Sequence, residues 1–126
     1  MSEVVAVTGK RFQAAAEHEG AVIRAWLKGT ADYHALDAVE MLLTRLHTEA
    51  LRLGIDEAVI DFRRLEFMNS SCFRNFISWL AEILELSEDR RYKVKFLFNP
   101  ALHWQDRSLH TLRCFAVDVV DVVSAA

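Results

Sequence analysis

Five short segments of the chain have the apolar or alternating pattern that predicts β-strands. They are residues 12–17, 21–28, 58–62, 94–98 and 117–123. The first is a weak strand pattern, and the second alternates imperfectly between apolar and polar residues, as strands do. The third and fourth are mostly apolar, which is typical of strands buried on both faces of a sheet.

Three segments between these strands repeat apolar residues every three or four positions, the period of an α-helix. The first follows Asp32, a favoured N-cap residue, and stops at Gly54. The second follows residues 69–71. The third starts at residues 99–100, where asparagine precedes proline, and runs to about Cys114. The three apolar faces are Leu36, Val39, Leu43, Leu46, Ala50 and Leu53, then Phe73, Phe76, Ile77, Leu80, Ile83 and Leu84, and finally Leu102, Leu109 and Leu112.

Strands that alternate with helices predict a mixed, mostly parallel sheet with covering helices. We therefore expect an α/β fold with the element order β-β-α-β-α-β-α-β. Residues 11–126 are long enough to form a single domain with one hydrophobic core. Residues 1–10 are expected to form either a short N-terminal extension or an extra edge strand.

Composition narrows the classes of function. Hydrophobic residues make up 52% of the chain, charged residues 26%, and the net charge is −3. This is the balance of an ordinary globular domain, without the basic excess of a nucleic-acid-binding protein. No apolar run approaches the roughly 18 residues that a membrane-spanning helix needs, and residues 1–10 lack the pattern of a signal peptide. Cys72 and Cys114 lie far apart and in no motif, which suits the reducing cytoplasm.

The most informative stretch is residues 59–73, with the sequence VIDFRRLEFMNSSCF. A buried strand runs into a loop, and two serines stand where a helix begins. This stretch resembles the signature of the STAS family, the domain shared by sulfate transporters and bacterial anti-sigma-factor antagonists, and the element order matches over residues 12–123. The matching residues are Asp61, Leu65, Phe67, Met68, Ser70, Ser71 and Phe73, together with Gly29 and Asp32 in the turn before the first helix.

The resemblance implies a STAS-type fold and a regulator that binds protein partners and is not an enzyme. In anti-sigma-factor antagonists, a partner serine kinase phosphorylates the serine that directly follows the signature aspartate, a position that is Ser70 here. The unphosphorylated protein binds its anti-sigma-factor or kinase partner, phosphorylation releases that partner, and a phosphatase resets the switch.

From this resemblance we expect a phosphorylation switch at Ser70, with Ser71 as a secondary position. The partner-binding surface would comprise Asp32, Asn69, Ser70, Ser71 and Cys72. We expect no cofactor, metal ligand or catalytic residue. We also expect no binding to nucleic acid and no insertion into a membrane. Formation of a homodimer through an edge strand is left open.

Two residues depart from the family signature. Asn69 replaces its aspartate, and Cys72 replaces its glycine. Asparagine keeps the ability to cap a helix but loses the negative charge. If an arginine of the partner reads that charge, the affinity or the choice of partner differs here.

The physical setting of Ser70 supports a switch independently of the family. Phosphorylation adds about −1.5 to −2 charges, and a helix N-terminus accommodates an anion well. A phosphate there would leave the fold intact and change the binding of any partner that docks at this position. The alternative is that serine and asparagine only cap the helix, since both are favoured N-caps.

Two other classes of function are open. One is a constitutive interaction domain of a larger signalling or transport assembly, which the changes at Asn69 and Cys72 favour. The other is an enzyme or small-ligand binder, which would need a deep pocket with converging polar groups next to Asp61. Cys72 near a helix start would serve as a nucleophile only with a lowered pKa and a base. Trp79 is expected either in the core or against a partner.

Overall fold

The computed structural model describes residues 2–125, which form six strands, three α-helices and two short 3₁₀ turns. The strands are β1 (Ser2–Gly9), β2 (Phe12–Glu19), β3 (Val22–Ala31), β4 (Glu57–Met68), β5 (Lys93–Phe98) and β6 (Val120–Ser124), and the helices are α1 (Leu36–Leu53), α2 (Ser70–Glu85) and α3 (His103–Phe115). Within this described range, no helix is both long enough and apolar enough to cross a bilayer.

The six strands form one sheet in the order β1-β2-β3-β4-β5-β6. The pairs β1–β2 and β2–β3 are antiparallel, and the remaining three pairs are parallel. A helix connects each parallel pair, since antiparallel strands can be joined by a tight turn whereas parallel strands need a crossover. The predicted α/β class with a mixed, mostly parallel sheet is confirmed, and β1 adds one strand ahead of the predicted order.

One face of the sheet is buried and the other is open. The buried residues Ile23 and Ala25 of β3 pair in register with Ala58 and Ile60 of β4, so they point to the same face. All three helices lie against this face, and their apolar sides join one core with it. Phe62 packs against the rings of two other phenylalanines at its centre, Phe76 at 5.2 Å and Phe96 at 5.4 Å.

Trp79 belongs to this core and not to the surface. Its side chain is 3% exposed, and its indole N–H donates a hydrogen bond of 2.9 Å to the hydroxyl of Tyr92. That hydroxyl in turn lies 2.6 Å from Nδ1 of His47 on α1. A buried tryptophan usually finds such a partner for its N–H group, so no docking partner is needed to explain this residue.

Several element boundaries differ from the sequence prediction. β3 continues to Ala31 instead of ending at residue 28, and β6 begins at Val120 instead of residue 117. β4 continues six residues beyond residue 62 and ends at Met68. α3 begins at His103, three residues after Pro100, because the side chain of Asn99 accepts a hydrogen bond from Ala101 N (3.0 Å) and closes a separate turn. Asparagine favours such turns as readily as helix caps.

Candidate functional site

The ends of β3 and β4 bring the two halves of the candidate site together. Because the strands are parallel, their carboxyl ends meet at the same edge of the sheet. Ala31 pairs with Met68, and Asn69 N donates a hydrogen bond of 2.9 Å to the carbonyl oxygen of Ala31. The turn that begins at Asp32 therefore lies directly beside the start of α2.

Asp32 organises the turn on its side of the site. Its Oδ1 accepts a hydrogen bond of 2.9 Å from His34 N, and its carbonyl oxygen accepts one from Ala35 N. These bonds close a 3₁₀ turn over Tyr33–Ala35 that leads into α1. The half-buried carboxylate of Asp32 is thus committed to capping, the role that the sequence predicts for it.

Asn69 is the N-cap of α2. Its backbone is extended, with φ −79° and ψ 171°, and its Oδ1 accepts a hydrogen bond of 2.9 Å from Cys72 N. Ser70 follows as the first helical residue, and its side chain is exposed. Because Asn69 supplies the cap, capping alone does not account for Ser70, and the hydroxyl of Ser70 faces solvent.

The two residues after Ser70 have different surroundings. Ser71 is half-buried, and its hydroxyl accepts a hydrogen bond of 3.3 Å from the guanidinium of Arg74. Cys72 is fully buried, and its Sγ lies 3.6 Å from the carbonyl oxygen of Asp32. The expectation that Cys72 contributes to a partner-binding surface is therefore wrong for its side chain, which packs beneath that surface.

The environment of Cys72 also argues against a nucleophile. Burial raises the pKa of the thiol to about 11, and the negative charge of Asp32 contributes to the increase. A reactive cysteine needs its pKa lowered instead. The Cys72 thiol therefore stays protonated. Its contact with the carbonyl oxygen of Asp32 links the start of α2 to the turn after β3.

No protein-family model and no curated protein sequence matches this chain. Among solved structures, an anti-sigma factor antagonist from Mycobacterium paratuberculosis is similar, with a TM-score of 0.64 at 13% sequence identity. The superposition covers 89% of this chain and 85% of that chain. The chain has a STAS-type fold. At 13% identity the likeness concerns the fold alone.

In this STAS-type fold, two large apolar side chains stand exposed beside Ser70. Tyr33 in the turn after β3 is 72% exposed, and Phe67 near the end of β4 is 48% exposed. Phe67 pairs in register with Thr30, close to the Asp32 turn. In the sequence, Phe67 is part of the STAS-like signature, and no local pattern indicates that either ring faces water. Exposed apolar patches often mark protein-binding surfaces, and aromatic residues are enriched at interfaces.

Asp61 lies apart from this edge, on the open face of the STAS-type sheet. Its Oδ1 accepts hydrogen bonds of 2.9 Å from Arg63 N and Nε, and its Oδ2 accepts one of 2.8 Å from Arg63 Nη2. Burial raises the pKa of Asp61, but the hydrogen bonds from Arg63 and the charges of Arg63 and Arg64 outweigh it, so the pKa is lowered. A cavity of about 300 Å³ adjoins Asp61, and both oxygens of its carboxylate are hydrogen-bonded to Arg63, so Asp61 serves there as the counter-ion of Arg63.

Proposed function

We propose that this chain is a regulatory interaction protein that binds a protein partner through the edge formed by Asp32, Tyr33, Phe67 and Asn69, and that phosphorylation of Ser70 releases the partner. The partner would be an anti-sigma factor or serine kinase, and a phosphatase would reverse the switch. The observation that carries this proposal is the exposed Ser70 hydroxyl at the start of a helix whose cap is supplied by its neighbour Asn69.

The electrostatic consequence of phosphorylation supports a switch at this edge. A phosphate on Ser70 adds about −1.5 to −2 charges at the positive end of the α2 dipole, where an anion is tolerated. The fold would survive, while any partner group packed on Tyr33 or Phe67 would face a new, hydrated dianion. Coupling between sites is commonly about 1–3 kcal/mol, which changes affinity roughly 5- to 150-fold.

The test is to recover the chain from its native cells in several growth states, with whatever binds it, and to map phosphate by fragment mass spectrometry. Phosphate on Ser70, with a kinase or phosphatase among the bound proteins, supports the proposal. In parallel, immobilised Ser70→Asp should lose the partner that Ser70→Ala retains. Ser78→Asp is the matched control, because Ser78 is an exposed serine of the same helix.

A second candidate is a constitutive interaction domain in a larger assembly. The uncharged Asn69 favours it, since the aspartate of the family signature is missing from the residue that precedes Ser70. This alternative predicts an unmodified Ser70 in every growth state and one constant partner. That outcome would exclude regulation by phosphorylation of Ser70 and would leave the partner-binding surface as proposed.

A further inference from the structure

A second feature lies on the open face of the sheet, and Ser70 is not among the residues that line it. A cavity of about 400 Å³ sits at the carboxyl ends of β3 and β4, and we call it the basic cavity. Three cationic side chains line it, those of Lys28, Arg63 and Arg64, with one acidic side chain, Glu66. In a chain whose net charge is −3, this is a local excess of positive charge. Small-ligand sites in open α/β sheets also lie beyond the carboxyl ends of the strands.

An irregularity in β4 brings the two arginines to the same cavity. Trp26 pairs with Asp61 but Lys28 pairs with Arg64, so β4 carries one more residue than β3 over this interval. In a regular strand, consecutive side chains point to opposite faces, whereas a bulge redirects one of them. Arg63 and Arg64 consequently line one cavity although they are adjacent in sequence.

Both guanidinium groups are held in place by neighbours on the open face. Asp61 binds the guanidinium of Arg63 with two hydrogen bonds, of 2.9 and 2.8 Å. The guanidinium of Arg64 lies over the ring of Trp26, with its carbon 5.2 Å from the ring centroid. Ordering these long side chains in advance lowers the entropic cost of binding an anion.

The remaining cations are available to a ligand. Within residues 2–125, Lys28 and Arg64 form no ion pair with an acidic side chain. A second cavity, of about 260 Å³, adjoins the first through Lys28 and Gly29 and adds Arg11. Four cations thus line two cavities that share Lys28 and Gly29, with Glu66 as the acidic residue of the basic cavity and Asp61 already paired with Arg63.

We propose that the basic cavity binds a small molecule that carries two or more phosphate groups. A planar guanidinium matches the paired oxygens of a phosphate, and each phosphate offers three acceptors to several donors at once. The volume suits a small ligand, since such pockets usually span about 300–1,000 Å³. This proposal does not depend on Ser70 or on its phosphorylation.

Inorganic pyrophosphate is the probe, titrated into the full chain by isothermal calorimetry at moderate ionic strength. We expect saturable binding at one site. Lys28→Gln and Arg64→Gln should each weaken binding about tenfold or more, because each removes a charge-assisted hydrogen bond. Arg113→Gln is the control, since Arg113 is exposed in the last turn of α3, ten residues beyond its start, and it should bind as the wild type does.

Three results would overturn the proposal. They are no saturable binding of pyrophosphate by the wild-type chain, an equal loss of affinity in Arg113→Gln, or equally tight binding of the carboxylate polyanion citrate. Thermal melts of each variant separate lost binding from lost folding. Since Lys28 and Arg64 are exposed, their replacement should leave the melting temperature nearly unchanged.

Discussion

The side-chain amide of Gln105 donates a hydrogen bond of 2.6 Å to the main-chain carbonyl oxygen of Phe62, 43 residues earlier in the chain. The same Nε2 donates a bond of 2.8 Å to the carbonyl oxygen of Leu65, and Oε1 accepts one of 2.8 Å from Asn99 N. β4 pairs with β5 only as far as Asp61, so these two carbonyls lie where the ladder has ended. Gln105 therefore replaces a missing strand neighbour and supports the segment that leads to both Arg64 and Ser70.

Gln105→Leu should lower the free energy of unfolding by about 2–4 kcal/mol. Gln105 is 0% exposed, and its replacement leaves buried carbonyl and amide groups without hydrogen-bond partners. Each such group costs about 1–3 kcal/mol when unpaired. Urea denaturation followed by circular dichroism measures the change. Gln13→Leu on the open face is the control and should shift stability by less than about 0.5 kcal/mol. A similar small shift for Gln105→Leu would show that water replaces the amide.

Unfolding should depend on pH through His47. Burial lowers the pKa of His47, although the negative charge of Glu82 opposes the change. The Tyr92 hydroxyl oxygen already accepts the Trp79 N–H and lies 2.6 Å from His47 Nδ1, so a protonated His47 would place a second donor on that oxygen. As pH falls below about 6.5, the unfolded chain takes up this proton first. Stability therefore falls as pH is lowered from 6.5 towards the depressed folded-state pKa, and levels off below it.

The measurement is urea denaturation of wild type and His47→Gln at several values between about pH 8 and about pH 5. Glutamine can still accept a hydrogen bond from the Tyr92 hydroxyl but does not titrate. The free energy of unfolding of this variant should therefore depend less steeply on pH. His103→Gln, an exposed histidine on α3, should keep the slope. Identical slopes in all three proteins would contradict the assignment to His47.

The helices and most strands follow from local patterns, because a residue's face is set by the helical or strand period. The C-terminal half of β4 does not follow from a local pattern. Its sequence after residue 62 mixes arginines and a glutamate with apolar residues, and its partner groups come from β3 and from Gln105, distant in sequence. No local pattern can reveal a hydrogen bond to a residue 40 positions away. The bulge that creates the basic cavity was invisible for the same reason.

At the candidate site, the cap and the serine at the start of the helix were predictable, but the burial of each side chain was not. Asn69 and Ser70 stand at a helix start in the sequence as in the structure. The burial of Cys72 had a usable signal, since Phe76 and Leu80 follow it at four-residue steps on the apolar face. The exposure of Tyr33 had none, because it depends on the 3₁₀ turn that Asp32 closes.

Two glycines with positive φ should respond differently to alanine. At Gly54 (φ +63°) an added Cβ meets nothing within 4 Å, so Gly54→Ala should cost about 1–2 kcal/mol, the strain of the left-handed backbone. At Gly29 (φ +98°) a Cβ would lie 2.1 Å from the carbonyl oxygen of Arg11. Gly29→Ala should therefore cost about 1–3 kcal/mol more, from overpacking. Equal losses in urea denaturation would mean that the β1–β2 turn moves aside freely.

The two cysteines should differ sharply in reactivity towards a thiol reagent such as Ellman's reagent. Cys114 is exposed, whereas Cys72 is fully buried with a pKa of about 11. Since the thiolate is the reactive form, native protein near about pH 8 should release one equivalent of chromophore promptly, and the second only when urea unfolds it. Cys114→Ser should abolish the prompt phase, and Cys72→Ser should preserve it. A prompt phase that survives Cys114→Ser would mean that the start of α2 opens readily, so that the edge around Ser70 is looser than its hydrogen bonds indicate.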